Sequence, residues 1–227
     1  MSIQSGGVVR ATGASAHADS GVRIVLWPAG IAIAVTLLRT VGELSGWPKP
    51  LVNSAPCGKA ILGVTCLVPL VAINFAFKLV GVHDRPKQLR FTFVAALVGL
   101  ALKLAATYLL ESGKYSYGIR ISGDFILTAV GMALAALTWP AFFKLLLVYG
   151  YASRIPVAIV QWLALRGHWG THYDASGNFP PIGFWPTYIH VLLVPKIFFM
   201  EAYTVIVGAL VGTAAMAVLE RVKPKWI

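Results

Sequence analysis

Residues 91–110 read FTFVAALVGLALKLAATYLL, a run broken by a single charge, Lys103. At about 1.5 Å per residue, a helix of this length covers about 30 Å, the thickness of a bilayer's hydrocarbon core. A helix on the surface of a soluble protein keeps one polar face, and this one has none. The stretch therefore reads as a transmembrane helix, and the rest of the chain shows how many others accompany it.

Comparable apolar runs occupy residues 22–44, 60–80 and 125–148. Pro28 falls in the first turn of its run, where a missing N–H costs little, and Pro140 is expected to kink the fourth run. After YGYASR comes IPVAIVQWLAL, 11 apolar residues before Arg166. That length fits a re-entrant or half-membrane helix as well as a full crossing, with Ser153 as N-cap and Pro156 in its first turn. Residues 188–220 are too long for one simple crossing, so Pro195 is expected to separate a short interfacial helix from a final span at 196–219.

The whole composition agrees with membrane solvent. Hydrophobic residues make up 58% of the 227 positions and charged residues 12%, with a mean hydropathy of +0.76, far from the balance of a soluble domain. The expected fold is all-α, a polytopic integral membrane bundle of about six helices over residues 22–220. Residues 1–21, small and polar, read as a disordered tail, and 221–227 as a basic tail.

The formal charge of +11 would point to nucleic acid in a soluble protein. Here the basic residues flank apolar runs without the basic-aromatic stripe of a nucleic-acid surface, so no such partner is expected. With six crossings and the N-terminus inside, Arg10, Arg23, Lys78, Arg85, Lys87, Arg90, Lys144, Arg154, Arg221, Lys223 and Lys225 fall on the cytoplasmic side. Lys49, Lys59, Lys114, Arg120 and Arg166 fall outside. This asymmetry places both termini in the cytoplasm of a bacterial-type inner membrane.

Arg39, Lys103 and Lys196 remain inside the spans, all in the outer half. Glu43 lies four residues beyond Arg39, on one helix face, and Glu201 five beyond Lys196. Asp124 reads as a residue at the outer end of its span. A charge at mid-membrane costs about 2.5–3.5 kcal/mol on insertion scales, so such groups pair with one another or line a wet cavity. Arg39, Glu43, Lys103, Lys196 and Glu201 are accordingly the candidate substrate-binding residues. Their expected ligand is membrane lipid, through an anionic lipid headgroup, or a small anionic solute, and a pairing of Glu43 or Glu201 with a cation from another helix is expected.

Other chemistry finds little support. HWGTHYD spaces His168, His172 and Asp174 so that a helix would gather them for a metal, but Gly167, Gly170 and Gly177 favour a loop, and no metal is expected. His190 has no second histidine in a span to complete a haem pair, Cys57 and Cys66 form no CxxC, and no GxSxG, HExxH or P-loop occurs. No cofactor and no enzymatic activity is expected. Thr204, Gly208 and Gly212 form a small-residue stripe for close helix contact within the monomer. The functional reading is a small transporter, channel or lipid-handling protein with an outward-facing polar cavity. The alternative is a non-catalytic subunit or scaffold, its ion pairs structural, docked to a partner membrane subunit.

Overall fold

A computed structural model describes residues 9–48, 50–52, 63–82, 84–111, 114–175 and 183–222. The helices are α1 (Val9–Leu44), α2 (Val64–Gly81), α3 (Leu89–Glu111), α4 (Tyr117–Thr138), α5 (Pro140–Gly167), the single turn α6 (Phe184–Pro186) and α7 (Met200–Val222). Two π-helical stretches, Thr187–Leu193 and Pro195–Phe199, carry the chain from α6 into α7. No strand occurs among the described residues. Six helical stretches are long and apolar enough to cross a bilayer: Arg23–Leu44, Val64–Gly81, Leu89–Leu110, Gly118–Thr138, Pro140–Gly167 and Phe184–Arg221. The protein is an all-helical, multi-pass integral membrane protein. Of the expected tails, residues 1–8 and 223–227 lie outside the described residues, as does Cys57, while residues 9–21 form the first turns of α1.

Several boundaries differ from the sequence reading. Pro140 does not kink a helix over 125–148; it opens α5 at the first helical position, where its missing N–H is no loss. The break falls one residue earlier. Trp139 adopts φ −147° and ψ 79°, its N–H still reaching the Ala135 carbonyl and its own carbonyl accepting from Phe143. The chain thus turns a corner without orphaning its hydrogen bonds. The indole N–H of Trp139 donates to Asp84 Oδ1 at 3.0 Å, pinning this corner to the α2–α3 loop.

The second half of the expected fourth run and the short 11-residue segment therefore form one continuous helix. Ser153, expected as an N-cap, is buried mid-helix and donates to the Gly150 carbonyl at 2.8 Å, and Pro156 is interior to α5. The fifth segment is a full-length helix rather than a re-entrant one. Pro195 likewise does not divide the last segment. It lies where the helix is π-wound, and the run continues into α7.

Small residues set the packing register. Gly99 and Gly131 meet backbone to backbone, so a Cβ on Gly99 would lie 3.2 Å from the Gly131 carbonyl oxygen. The same antiparallel register brings Lys103 to Asp124 and Gly123 to Leu109. On α7, Gly208 and Gly212 receive the Leu146 and Phe142 side chains of α5, with Thr204 against Arg154 further along. The stripe read from the sequence thus seats α7 on α5 within the monomer. The inner layer is α2, α5 and the last helical run, 44%, 50% and 50% buried, against 22% for α3 and α4. Phe75 and Tyr149 pack edge to face at its centre.

Candidate functional site

At the end of the bundle opposite the Trp139 corner, the end of α1, the start of α2 and the loop after α5 converge. Arg39 Nε donates to Glu43 Oε1 at 2.8 Å, the one-turn pairing that their spacing implies. Glu43 has a second partner. The backbone N–H of His172 donates to Glu43 Oε2 at 2.9 Å, and His172 Nδ1 lies 2.5 Å from Oε1. A glutamate on α1 thus anchors a loop 129 residues away in sequence.

That loop is built by its own short-range chemistry. His168 takes the left-handed conformation that ends α5, and Gly170, at φ 68°, turns the chain again. Asp174 then accepts the backbone N–H of Gly170 at 2.9 Å and of Thr171 at 2.7 Å. Its carboxylate is committed to shaping the turn, and the loop geometry points His172 at Glu43 instead of gathering three ligands. No cluster of three or more His, Cys, Asp or Glu side chains able to hold a metal occurs among the described residues. The Tyr173 hydroxyl closes the loop onto α1 by donating to the Thr36 carbonyl at 3.3 Å.

Burial holds the His172 imidazole below the ordinary histidine range despite the neighbouring Glu43 carboxylate, which pulls the other way. Burial also pushes the Tyr173 phenol above its ordinary value.

Beneath the loop lies a cavity of about 50 Å³, room for a few waters at about 10–15 Å³ each. Arg39 from α1, Arg154 from α5 and Lys196 from the π-helical stretch line it, with His172, Tyr173 and the hydroxyl-bearing Thr36 and Thr65. Arg154 lies 3% exposed at the heart of α5. It is fourteen residues beyond Pro140, about 21 Å along the helix. One terminal nitrogen donates to Thr204 Oγ1 at 3.1 Å, and its Nε has no hydrogen-bond partner among the described residues.

The candidate residues therefore divide into three groups. Arg39, Glu43 and Lys196 gather around the cavity. Lys103 stands apart, with Nζ 3.2 Å from Asp124 Oδ1, 3.3 Å from Thr128 Oγ1 and 4.9 Å from the Phe199 ring centre. Its acidic partner is Asp124, which is buried in α4 and not at the end of a span, because α4 begins at Tyr117 and not near 125. Glu201 forms the third group, seated where a Gly150 side chain would otherwise stand.

The sequence reading expects Glu43 or Glu201 to pair with a cation from another helix. Glu43 takes its arginine from its own helix, and both Glu201 oxygens lack a hydrogen-bond partner among the described residues. Arg154, expected at the cytoplasmic surface, was hidden by the polar look of YGYASR. Its spacing four residues after Gly150, matched by Thr204 three after Glu201, was the available signal of two facing helix surfaces.

Comparison with family models, curated proteins and solved structures finds no match for this chain.

Proposed function

We propose that this membrane protein binds and passes or presents an anionic group, a small anionic solute or an anionic lipid headgroup, in the cavity beneath the 168–174 loop. One observation carries this reading: guanidinium and ammonium groups from three separate segments, Arg39, Arg154 and Lys196, line one small polar cavity inside a membrane bundle. Carrying charge to that depth costs free energy that a charge-assisted contact with an anion offsets. With room for a few waters, the cavity takes a sulfate- or phosphate-sized group, so the rest of a lipid ligand stays outside it. Binding rather than bond-making chemistry is the proposed activity.

The proposed orientation has both termini in the cytoplasm and the cavity in the outer half. With Arg154 reassigned to the membrane interior, ten basic residues still flank the inner side and five the outer.

Calorimetric titration of the purified full chain in neutral maltoside micelles tests the proposal with two probes, sulfate and dioctanoyl phosphatidylglycerol. Wild type is expected to bind at least one, with affinity falling about tenfold or more in Arg154→Gln while helicity is retained. Sulfate binding alone identifies a soluble anion, and phosphatidylglycerol binding alone a headgroup. Binding of neither probe, or undiminished binding by a folded Arg154→Gln protein, overturns the reading.

A further inference from the structure

Glu201 is 1% exposed, and a Cβ placed on Gly150 would collide with both of its carboxylate oxygens. The two positions together form a seat for one carboxyl group inside the bundle, and neither is among the residues that line the cavity. Neither oxygen has a hydrogen-bond partner among the described residues, nor do the Tyr149 hydroxyl and Gln161 Oε1. A carboxylate in such a place needs either a countercharge or a proton.

Arg154 lies one turn beyond Gly150 on α5 and donates to Thr204, one turn beyond Glu201, so the guanidinium belongs to the same pair of facing helix surfaces. Tyr149, also on α5, immediately precedes Gly150. On the last helical run, Tyr203 lies two residues beyond Glu201 and Lys196 lines the cavity. In this half of α3 and α4, Lys103 and Asp124 are paired with each other, Arg120 donates to the Leu110 carbonyl at 2.8 Å, and Tyr108 is exposed. The buried residues of α2 include no titratable side chain. One guanidinium thus lines the cavity and shares a helix surface with the carboxyl seat, and its Nε has no hydrogen-bond partner among the described residues.

We infer that Glu201 is a proton-binding site coupled to the cavity through Arg154, so that an anion and a proton are taken up together. This inference rests on the anion-binding reading above. An anion entering the cavity engages the Arg154 guanidinium and withdraws the countercharge from Glu201, and one proton from bulk water converts the carboxylate to the neutral acid. No bond other than that O–H forms. Linkage makes the relation reciprocal: anion affinity falls as pH rises through the Glu201 titration, by about tenfold per pH unit for one coupled proton.

Sulfate and dioctanoyl phosphatidylglycerol carry no titrating proton near neutral pH, so calorimetry of whichever binds, repeated in buffers of different ionisation enthalpy, counts protons taken up by the protein. With the titration repeated from neutral to alkaline pH, wild type is expected to take up about one proton per anion where the unliganded Glu201 is a carboxylate, and less below that. Glu201→Gln should still bind while taking up none. Difference infrared spectra of wild type on anion addition supply a readout that needs no variant, a protonated-carboxyl stretching band appearing as the anion binds.

Anion binding without proton uptake, or uptake kept in Glu201→Gln, overturns the inference and leaves the anion site standing. Absence of anion binding overturns both.

Discussion

Lys103 Nζ lies 3.2 Å from Asp124 Oδ1 across the antiparallel α3–α4 pair, bracketed in the same register by the Gly99–Gly131 contact and the Gly123–Leu109 contact. The ion pair is a lock on a register that small residues make possible. Removing one partner strands the other's charge in the bundle. Lys103→Met is expected to cost about 3 kcal/mol, and Lys103→Met combined with Asp124→Leu much less, because an apolar pair replaces two desolvated charges. Thermal midpoints of both proteins in micelles check this; a double variant as unstable as the single one would contradict it.

Gly150→Ala should destabilise by about 1–3 kcal/mol, since its methyl group would occupy the space of the Glu201 carboxylate. Adding Glu201→Ala to that variant should recover part of the loss by vacating the seat. Thermal midpoints of the single and double variants measure the recovery.

At Gly99 the obstacle is backbone, which moves less readily than a side chain. Gly99→Val should therefore separate α3 from α4 and cost about 1–3 kcal/mol. A Cβ on Gly30 meets nothing within 4 Å, so Gly30→Ala should cost no stability. Denaturant titration followed by helical circular dichroism compares the two.

His172 gives a pH dependence with a definite sign. Its folded pKa lies below the ordinary 6.5, so between the two values the unfolded chain binds more protons than the folded one. Stability is then expected to be fully present above about pH 6.5 and to decline as pH falls through that window. His172→Gln should flatten this part of the profile, read as thermal midpoint against pH. A midpoint that rises on acidification in wild type alone would reverse the assignment.

The number of crossings was legible because length and apolarity are what a bilayer selects. Residues 91–110 identify a span without any knowledge of neighbours. Boundaries were less legible where proline alone marked them. Pro140 is compatible both with a kinked helix interior and with a helix start, and the deciding feature is the backbone of Trp139, a residue with no turn signature. Pro195 similarly reads as a breaker in an α-helix and not in a π-wound one. At the site, the i, i+4 pairing of Arg39 and Glu43 was readable because it is local. The Lys103–Asp124 pair and the positions of Arg154 and His172 depend on how separate helices face each other, and single-sequence spacing carries no record of that. Tertiary register had to supply it.

Each π turn uses one residue more than an α turn, and the last helical run spends such residues between Thr187 and Phe199. Deleting a single residue between Lys196 and Met200 would let the run rewind as α-helix and swing Lys196 by about 100° about the axis relative to α7. Lys196 would leave the cavity while Arg154, carried on α5, stayed in place. Chain length in this short interval, more than the identity of any residue within it, keeps the third cation over the cavity.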